Sequence, residues 1–435
     1  MKRLSILMVG MAFSPVLHAE NMMDAYREAQ SHDAVFASAK AAHRAGLEKL
    51  PQGRALLLPS VNLSADTTEN SVKREGAART NYNSYGYTLA LSQPIFRKQN
   101  FAQYEQSKQQ VTQAEAQLAI AKQDLILRVA QAYFDALLAQ DNVAFASSYK
   151  TAISEQLAQA KRNFEVGTAT ITDTHEAQAR FDLATSQEIA ARNDLEVKKF
   201  ALQKVIGKIP SSLSRLSDKL PLKTPEPNDM EQWVASSEQQ NLQFQIQQAA
   251  FEIANQEVER NRGGHYPTLD VVASYRDANN TNLSFGIGGN TQSTAIGLQL
   301  NLPIFSGGST SSKVREAVAN QDKAREDLED TRRQVVLQTR QAFLGVTSGE
   351  AQVRALEQAL VSTQSSLDST KLGFEVGVRT SVDVLNAQQQ LFSAKRDLSQ
   401  ARYTYIMNQL KLKSAVGTLG EADLEQVNSL LAQAK

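Results

Sequence analysis

Two short stretches hold side chains whose types and spacing suit a defined chemistry. Thr170 with Asp173, and Thr380 with Asp383, share the Thr-x-x-Asp pattern. In that pattern the hydroxyl accepts from the amide three residues on, and the carboxylate returns to the threonine amide, so each pair can open a helix. Gly167 and Gly377 lie just upstream, each after a long helix-forming run, and suit the left-handed residue that stops a helix. Capping alone is one reading of both aspartates, and a solvated turn charge is the bland alternative for Arg379. Nothing else resembles a reactive centre. His32, His43, His175 and His265 are scattered without metal-ligand spacing. No nucleophile–base arrangement, phosphate loop or dinucleotide fingerprint occurs, so an enzyme is the least expected class and no cofactor or metal is expected.

Composition narrows the classes further. The chain has 435 residues, 46 basic and 46 acidic, which argues against nucleic acid as a partner. It has no cysteine, so disulfides, thiol catalysis and a lipid-modified N-terminal Cys are excluded. Met1 to Ala19 reads as a secretory signal peptide: Lys2 and Arg3 precede an apolar stretch from Leu4 to Leu17, too short to span a bilayer as a helix. Its removal leaves 44 basic against 46 acidic residues.

The elements that would position the two turns follow from the prolines. Ten are present, yet Ile95 to Ile209 and Ile304 to Lys435 contain none. Both stretches are rich in good helix formers. Helices over 97–163 and 309–374 would each be roughly 100 Å long at 1.5 Å per residue. Such rods imply coiled-coil packing or a helical tube. The halves are also duplicated. Gln93-Pro94-Ile95-Phe96 matches Leu302-Pro303-Ile304-Phe305, Phe164-Glu165-Val166-Gly167 matches Phe374-Glu375-Val376-Gly377, and Gly207 matches Gly417, at an offset of 208–210. The expected plan is a first repeat over 20–207 with a second long helix at 172–207, a linker at 208–230, a second repeat over 231–417 with its helix at 380–417, and a terminal segment at 418–435. A heptad seam runs through Leu391, Ala394, Leu398, Ala401, Tyr405, Asn408, Leu412 and Ala415. Its mate in the first half is weakened by Glu188 and Lys198.

Four segments, at about 60–68, 82–93, 268–277 and 294–303, switch to a period of two, as half-buried strands do. Their length suits tilted transmembrane strands. The prolines 59, 94, 267 and 303 punctuate their helix-proximal ends, and the far connections are polar or Gly-rich, as at Gly286-Ile287-Gly288-Gly289. A soluble four-stranded sheet is the alternative on pattern alone. In lipid, four strands leave unpaired edges, so several chains would have to share one barrel. Two chains would give eight strands, which fill their own interior; a pore needs more.

Chain order, duplication and the segments Ile171-Thr172-Asp173, Phe374 to Leu385 and Ala401 to Leu410 resemble the TolC family of outer-membrane channel-tunnel proteins. The resemblance implies an α+β membrane protein: a long antiparallel α-helical coiled-coil tube in the periplasm, and four β-strands per chain contributing to a trimeric 12-stranded transmembrane barrel. It implies a homotrimer in outer-membrane lipid that acts as a passive exit duct for type I protein secretion or drug efflux. Its partners would be a periplasmic adaptor and an inner-membrane ABC or proton-driven transporter. It also implies roles at the tube entrance. Asp173 would pair with Arg379 in a latch that includes Thr172 and Phe374. Asp383 would contribute to a carboxylate ring, and Gly167 and Gly377 would mark the tips gripped by the adaptor. Two departures are visible. Phe374 stands where Tyr is frequent, and Asn386 stands where a second acid can occur, which leaves a single ring. The segments 208–230 and 418–435 would form the equatorial region around the tube. A periplasmic coiled-coil adaptor or scaffold is the alternative from another class.

Overall fold

The computed structural model describes residues 20–73, 75–76, 78–210, 212–217, 220–280 and 289–431. The expected signal peptide and the Gly286–Gly288 connection lie outside these residues. The chain divides into two compact units. One contains residues up to 37, 122–237 and 338–435; the other contains 38–121 and 238–337.

The second unit holds one antiparallel sheet, in the order β1 (Ser60–Val72), β2 (Thr80–Phe96), β3 (Thr268–Asn280) and β4 (Gly289–Asn301). Three of these strands run past the expected ends, and β4 instead starts earlier and stops sooner. Pro94 does not end β2: it faces Asp270 beside a register shift at Phe96, where a missing amide donor is tolerated. The register puts Val61, Leu91, Ala273 and Ile296 in one row, and Leu63, Leu89 and Tyr275 in the next. Side chains facing each other across strands share a face, so this part of one face is largely apolar, and it gives way further along to the row Ala65, Tyr87, Asp277 and Gln292. The other face carries Ser64, Thr88, Arg276 and Ser293. Along β2 the apolar residues Tyr85, Tyr87 and Leu89 are exposed, while the interleaved Gly86, Thr88 and Ala90 are half-buried. That is the reverse of a soluble sheet. The apolar row is also exposed on β1 (Val61, Leu63) and β4 (Ile296, Leu298, Leu300) and is half-buried on β3, the exposure that lipid would cover. At the helix-proximal end, Arg97 donates Nε and Nη2 to the buried carboxylate of Asp270 at 2.8 and 2.7 Å. This bidentate pair ties the end of β2 to β3.

Helices flank the sheet in sequence: α1 (Met22–His32), α2 (Ala34–Leu47) and α3 (Lys49–Ala55) before it, and α4 (Lys98–Glu165) and α5 (Ile171–Ile206) after the first hairpin. In the second half, α6 (Met230–Gln240) and α7 (Leu242–Arg262) precede β3. After β4 come α8 (Ser309–Glu375), α9 (Ser381–Val416) and α10 (Glu421–Asn428). Among the described residues no helix is long and apolar enough to cross a membrane.

In the first unit α4, α5, α8 and α9 pack through small and aromatic residues. Tyr149, Ile153, Ala184 and Leu385 form one cluster, with Phe181 and Phe392 against it; the rings of Tyr149 and Phe392 stack at 5.2 Å. The two polar seam positions are satisfied rather than weak. Glu188 accepts from Lys150 at 3.0 Å and Arg192 at 2.6 Å, and Lys198 pairs with Asp135 at 3.1 Å. A buried carboxylate left alone would be costly; held by two cations it is tolerable and fixes the pairing of α4 with α5. The linker is bound to the helices by tyrosines. Tyr133 donates to the carbonyls of Glu20 and Ser214, and Tyr405 to that of Lys223. The indole of Trp233 donates to the Pro227 carbonyl at 2.8 Å.

Candidate functional site

The turns α4–α5 and α8–α9 are built alike. Gly167 and Gly377 have φ of +78° and +81°, and an added Cβ would meet nothing within 4 Å at either. Backbone handedness, not space, calls for glycine there. The amides of Thr168 and Val378 then close on the carbonyls of Asn163 (2.8 Å) and Gly373 (2.9 Å), the bond that seals a left-handed helix end. Both following helices open with a complete capping box. Thr170 donates its amide and hydroxyl to Asp173 Oδ2 at 3.0 and 2.9 Å. Thr380 does the same to Asp383 Oδ2 at 2.9 and 2.9 Å. These bonds hold both carboxyls below the ordinary carboxylate range. The threonine amide is the leading cause in each, and the nearby Arg379 charge adds to it at Asp383.

The remaining predicted residues are distributed as follows. Asp173 Oδ1 accepts from the Ser381 hydroxyl at 3.4 Å, a contact between the two turns. Among the described residues of the single chain, Arg379 makes no ion pair with Asp173. Its stem lies over Gly373, where a Cβ would sit 2.8 Å from Arg379 Cγ. Phe374 packs against Leu367, Val384 and Ala387 in its own hairpin. Thr172 is exposed. Asn386 is engaged: it accepts from Arg180 Nη2 at 3.2 Å, while Arg180 Nη1 donates to Gln389 at 2.8 Å and its Nε to Glu176 at 3.1 Å. Arg180 and Ser381 are the residues that sequence reasoning missed. A signal existed for Arg180, which lies seven residues after Asp173 and four after Glu176, on the same helix face.

Comparison with known proteins agrees with this architecture. A family profile described as "Outer membrane efflux protein" matches residues 25–208 and 233–418, one match per repeat, and the chain belongs to that family. The chain is 34% identical to "Outer membrane protein TolC" of Vibrio cholerae over 100% of both chains. It is 33% identical to "Alkaline protease secretion protein AprF" of Pseudomonas aeruginosa, over 98% of this chain and 91% of that one. The solved Campylobacter jejuni CmeC outer membrane channel has the same fold, with a TM-score of 0.81 at 18% identity over 95% of this chain and 90% of that one. The protein is an outer-membrane exit duct of the secretion and efflux type, and its family is one of transport channels rather than enzymes.

Proposed function

We propose that three copies assemble so that their sheets close one 12-stranded barrel and their helical hairpins form one tube, through which a periplasmic adaptor and an inner-membrane ABC or proton-driven transporter export cargo. The single observation that carries this reading is the sheet. Its apolar row faces outward while β1 and β4 remain edge strands, and hydrocarbon tolerates no unpaired edge. One chain cannot close the wall, and three copies give enough strands for an open lumen.

At the tips the geometry supports a gate. Each carboxylate is fixed by its own threonine, so its charge is held in place at the turn. Three copies of Asp383 around an axis would attract cations and set the selectivity of a closed entrance. Asn386, one turn further on, adds no second ring; it is the neutral acceptor for Arg180. Arg379, which makes no ion pair with Asp173 within one chain, would pair with Asp173 of a neighbouring copy, with Thr172 beside them, and this pairing would latch the entrance. An adaptor gripping the tips at Gly167 and Gly377 would release it.

The test is extraction from the outer membrane followed by planar-bilayer recording. The expected result is a detergent-stable trimer with a small cation-selective conductance. A water-soluble monomer without conductance would overturn the reading in favour of a periplasmic scaffold.

A further inference from the structure

The duplication supplies a template for the one strand pairing that a single chain cannot show. β1 and β3 are both 13 residues long and begin at equivalent positions, Ser60 and Thr268. β2 and β4 likewise begin at equivalent positions, Thr80 and Gly289. The hairpin registers are also equivalent: Ser60 faces Ser92 in the first, and Thr268 faces Asn301 in the second. One difference remains. β2 continues through Gln93-Pro94-Ile95-Phe96, paired with β3, whereas β4 stops at Asn301, leaving the matching Leu302-Pro303-Ile304-Phe305 outside any strand. Ile304 and Phe305 are 93% and 88% exposed, against 51% and 39% for their mates Ile95 and Phe96. Near-identical sequences differ in structure because one has a strand beside it and the other does not.

We infer that β4 pairs with β1 of the next copy in the register that β2 makes with β3. The inference rests on the channel reading above and adds the residue pairs. Ser92 facing Val272 becomes Asn301 facing the partner's Ser64, and Leu91 facing Ala273 becomes Leu300 facing the partner's Ala65. Gln93 facing Val271 becomes Leu302 facing the partner's Leu63. After the bulge, Phe96 facing Leu269 becomes Phe305 facing the partner's Val61. The apolar rows on both sides of the seam then meet, and Gln299 meets the partner's Asp66 on the polar face. A slip of one residue would set Leu300 against the partner's Ser64 and turn one row inside out. A slip of two would leave unpaired backbone at the strand ends. Leu302 to Phe305 becomes strand in the assembly. The seam lacks one device of its template: Ser306 and Asn62 stand where Arg97 and Asp270 form their bidentate pair.

The absence of native cysteine makes each engineered pair report one contact. Full-length Asn301→Cys combined with Ser64→Cys, oxidised in native membranes, is expected to give covalent trimers on denaturing gels. Asn301→Cys with Asn62→Cys, or with Asp66→Cys, is expected to stay uncross-linked. Diagonal neighbours lie about 7–8 Å apart, beyond the roughly 4 Å between Cβ atoms that a disulfide needs. Ser92→Cys with Val272→Cys is the calibrant, closing within one chain. A second readout avoids thiols: Ser306→Arg with Asn62→Asp should raise the temperature at which the detergent-resistant trimer dissociates, and Ser306→Arg alone should not. A shifted pair that cross-links in preference to Asn301 with Ser64, or a double variant no more heat-resistant than Ser306→Arg, overturns the register while leaving the channel reading intact. A wild-type chain that stays monomeric in membranes overturns both.

Discussion

The two hairpin tips share a backbone and differ in side chains. Their glycines, sealing carbonyls and capping boxes match to within 0.1 Å in hydrogen-bond length and 3° in φ. Beside them, Ala169 is matched by Arg379, Ile171 by Ser381, Thr172 by Val382, Glu176 by Asn386, and Gln390 by Arg180. The residues that make the turn are kept in both copies, because a helix stop and a helix start impose the same hydrogen-bond demands wherever they occur. Apart from Asp173, the residues that hydrogen-bond to the other hairpin have diverged, and these bonds join unlike positions: Ser381 to Asp173, and Arg180 to Asn386 and Gln389. Duplication supplied two equal turns, and divergence made them complementary.

Substitutions can break that asymmetry in order of expected effect. Loss of the proposed latch in Arg379→Ala should shift the entrance toward open by about tenfold, because a charge-assisted hydrogen bond contributes at least about 1.5 kcal/mol and about 1.4 kcal/mol is a factor of ten. Ala169→Arg should not restore the closed state if the tips are functionally distinct; bilayer conductance reads both outcomes. Asp383→Asn should reduce cation selectivity several-fold by removing the proposed ring, read as a shift in reversal potential under a salt gradient, while Asp173→Asn should change it less. Arg180→Ala should loosen the tips by a smaller margin, since its partners in the other hairpin, Asn386 and Gln389, are neutral and it is partly exposed; a double-mutant cycle with Asn386→Ala should show coupling, and additive effects would remove Arg180 from the proposed gate.

Two further outcomes sharpen the comparison by predicting equality. Thr170→Ala and Thr380→Ala should each weaken their helix start by about 1 kcal/mol, read by hydrogen exchange in the first turns of α5 and α9. Unequal costs would mean that the two caps are not equivalent. Both carboxyls are depressed from an ordinary value of 3.8, so their capping contribution is complete above that pH and is lost as the pH falls through the lower folded values. Selectivity and tip stability should therefore be unchanged between pH 7 and about pH 5.

Much of this was legible before any coordinates. Capping boxes, helix stops and period-two strands join residues within a few positions of one another, so the chain order alone reveals them. The polar seam residues were legible as residues but not as interactions. Glu188 and Lys198 look like defects in a heptad until Lys150 and Asp135 are brought across from α4, because the relative register of two long helices depends on all their contacts together. Pro94 looked like a strand end, and the bulge that accommodates it exists only because β3 lies alongside.

Local order, duplication and the placement of apolar rows were therefore settled by the amino acids in line. Which side chains meet was decided by the packing of distant segments: Arg180 on Asn386, Arg97 on Asp270, and Ser381 on Asp173. The reason is one of range. A hydrogen bond four residues away is set by helix geometry, whereas one two hundred residues away forms only after the whole chain has chosen its partners.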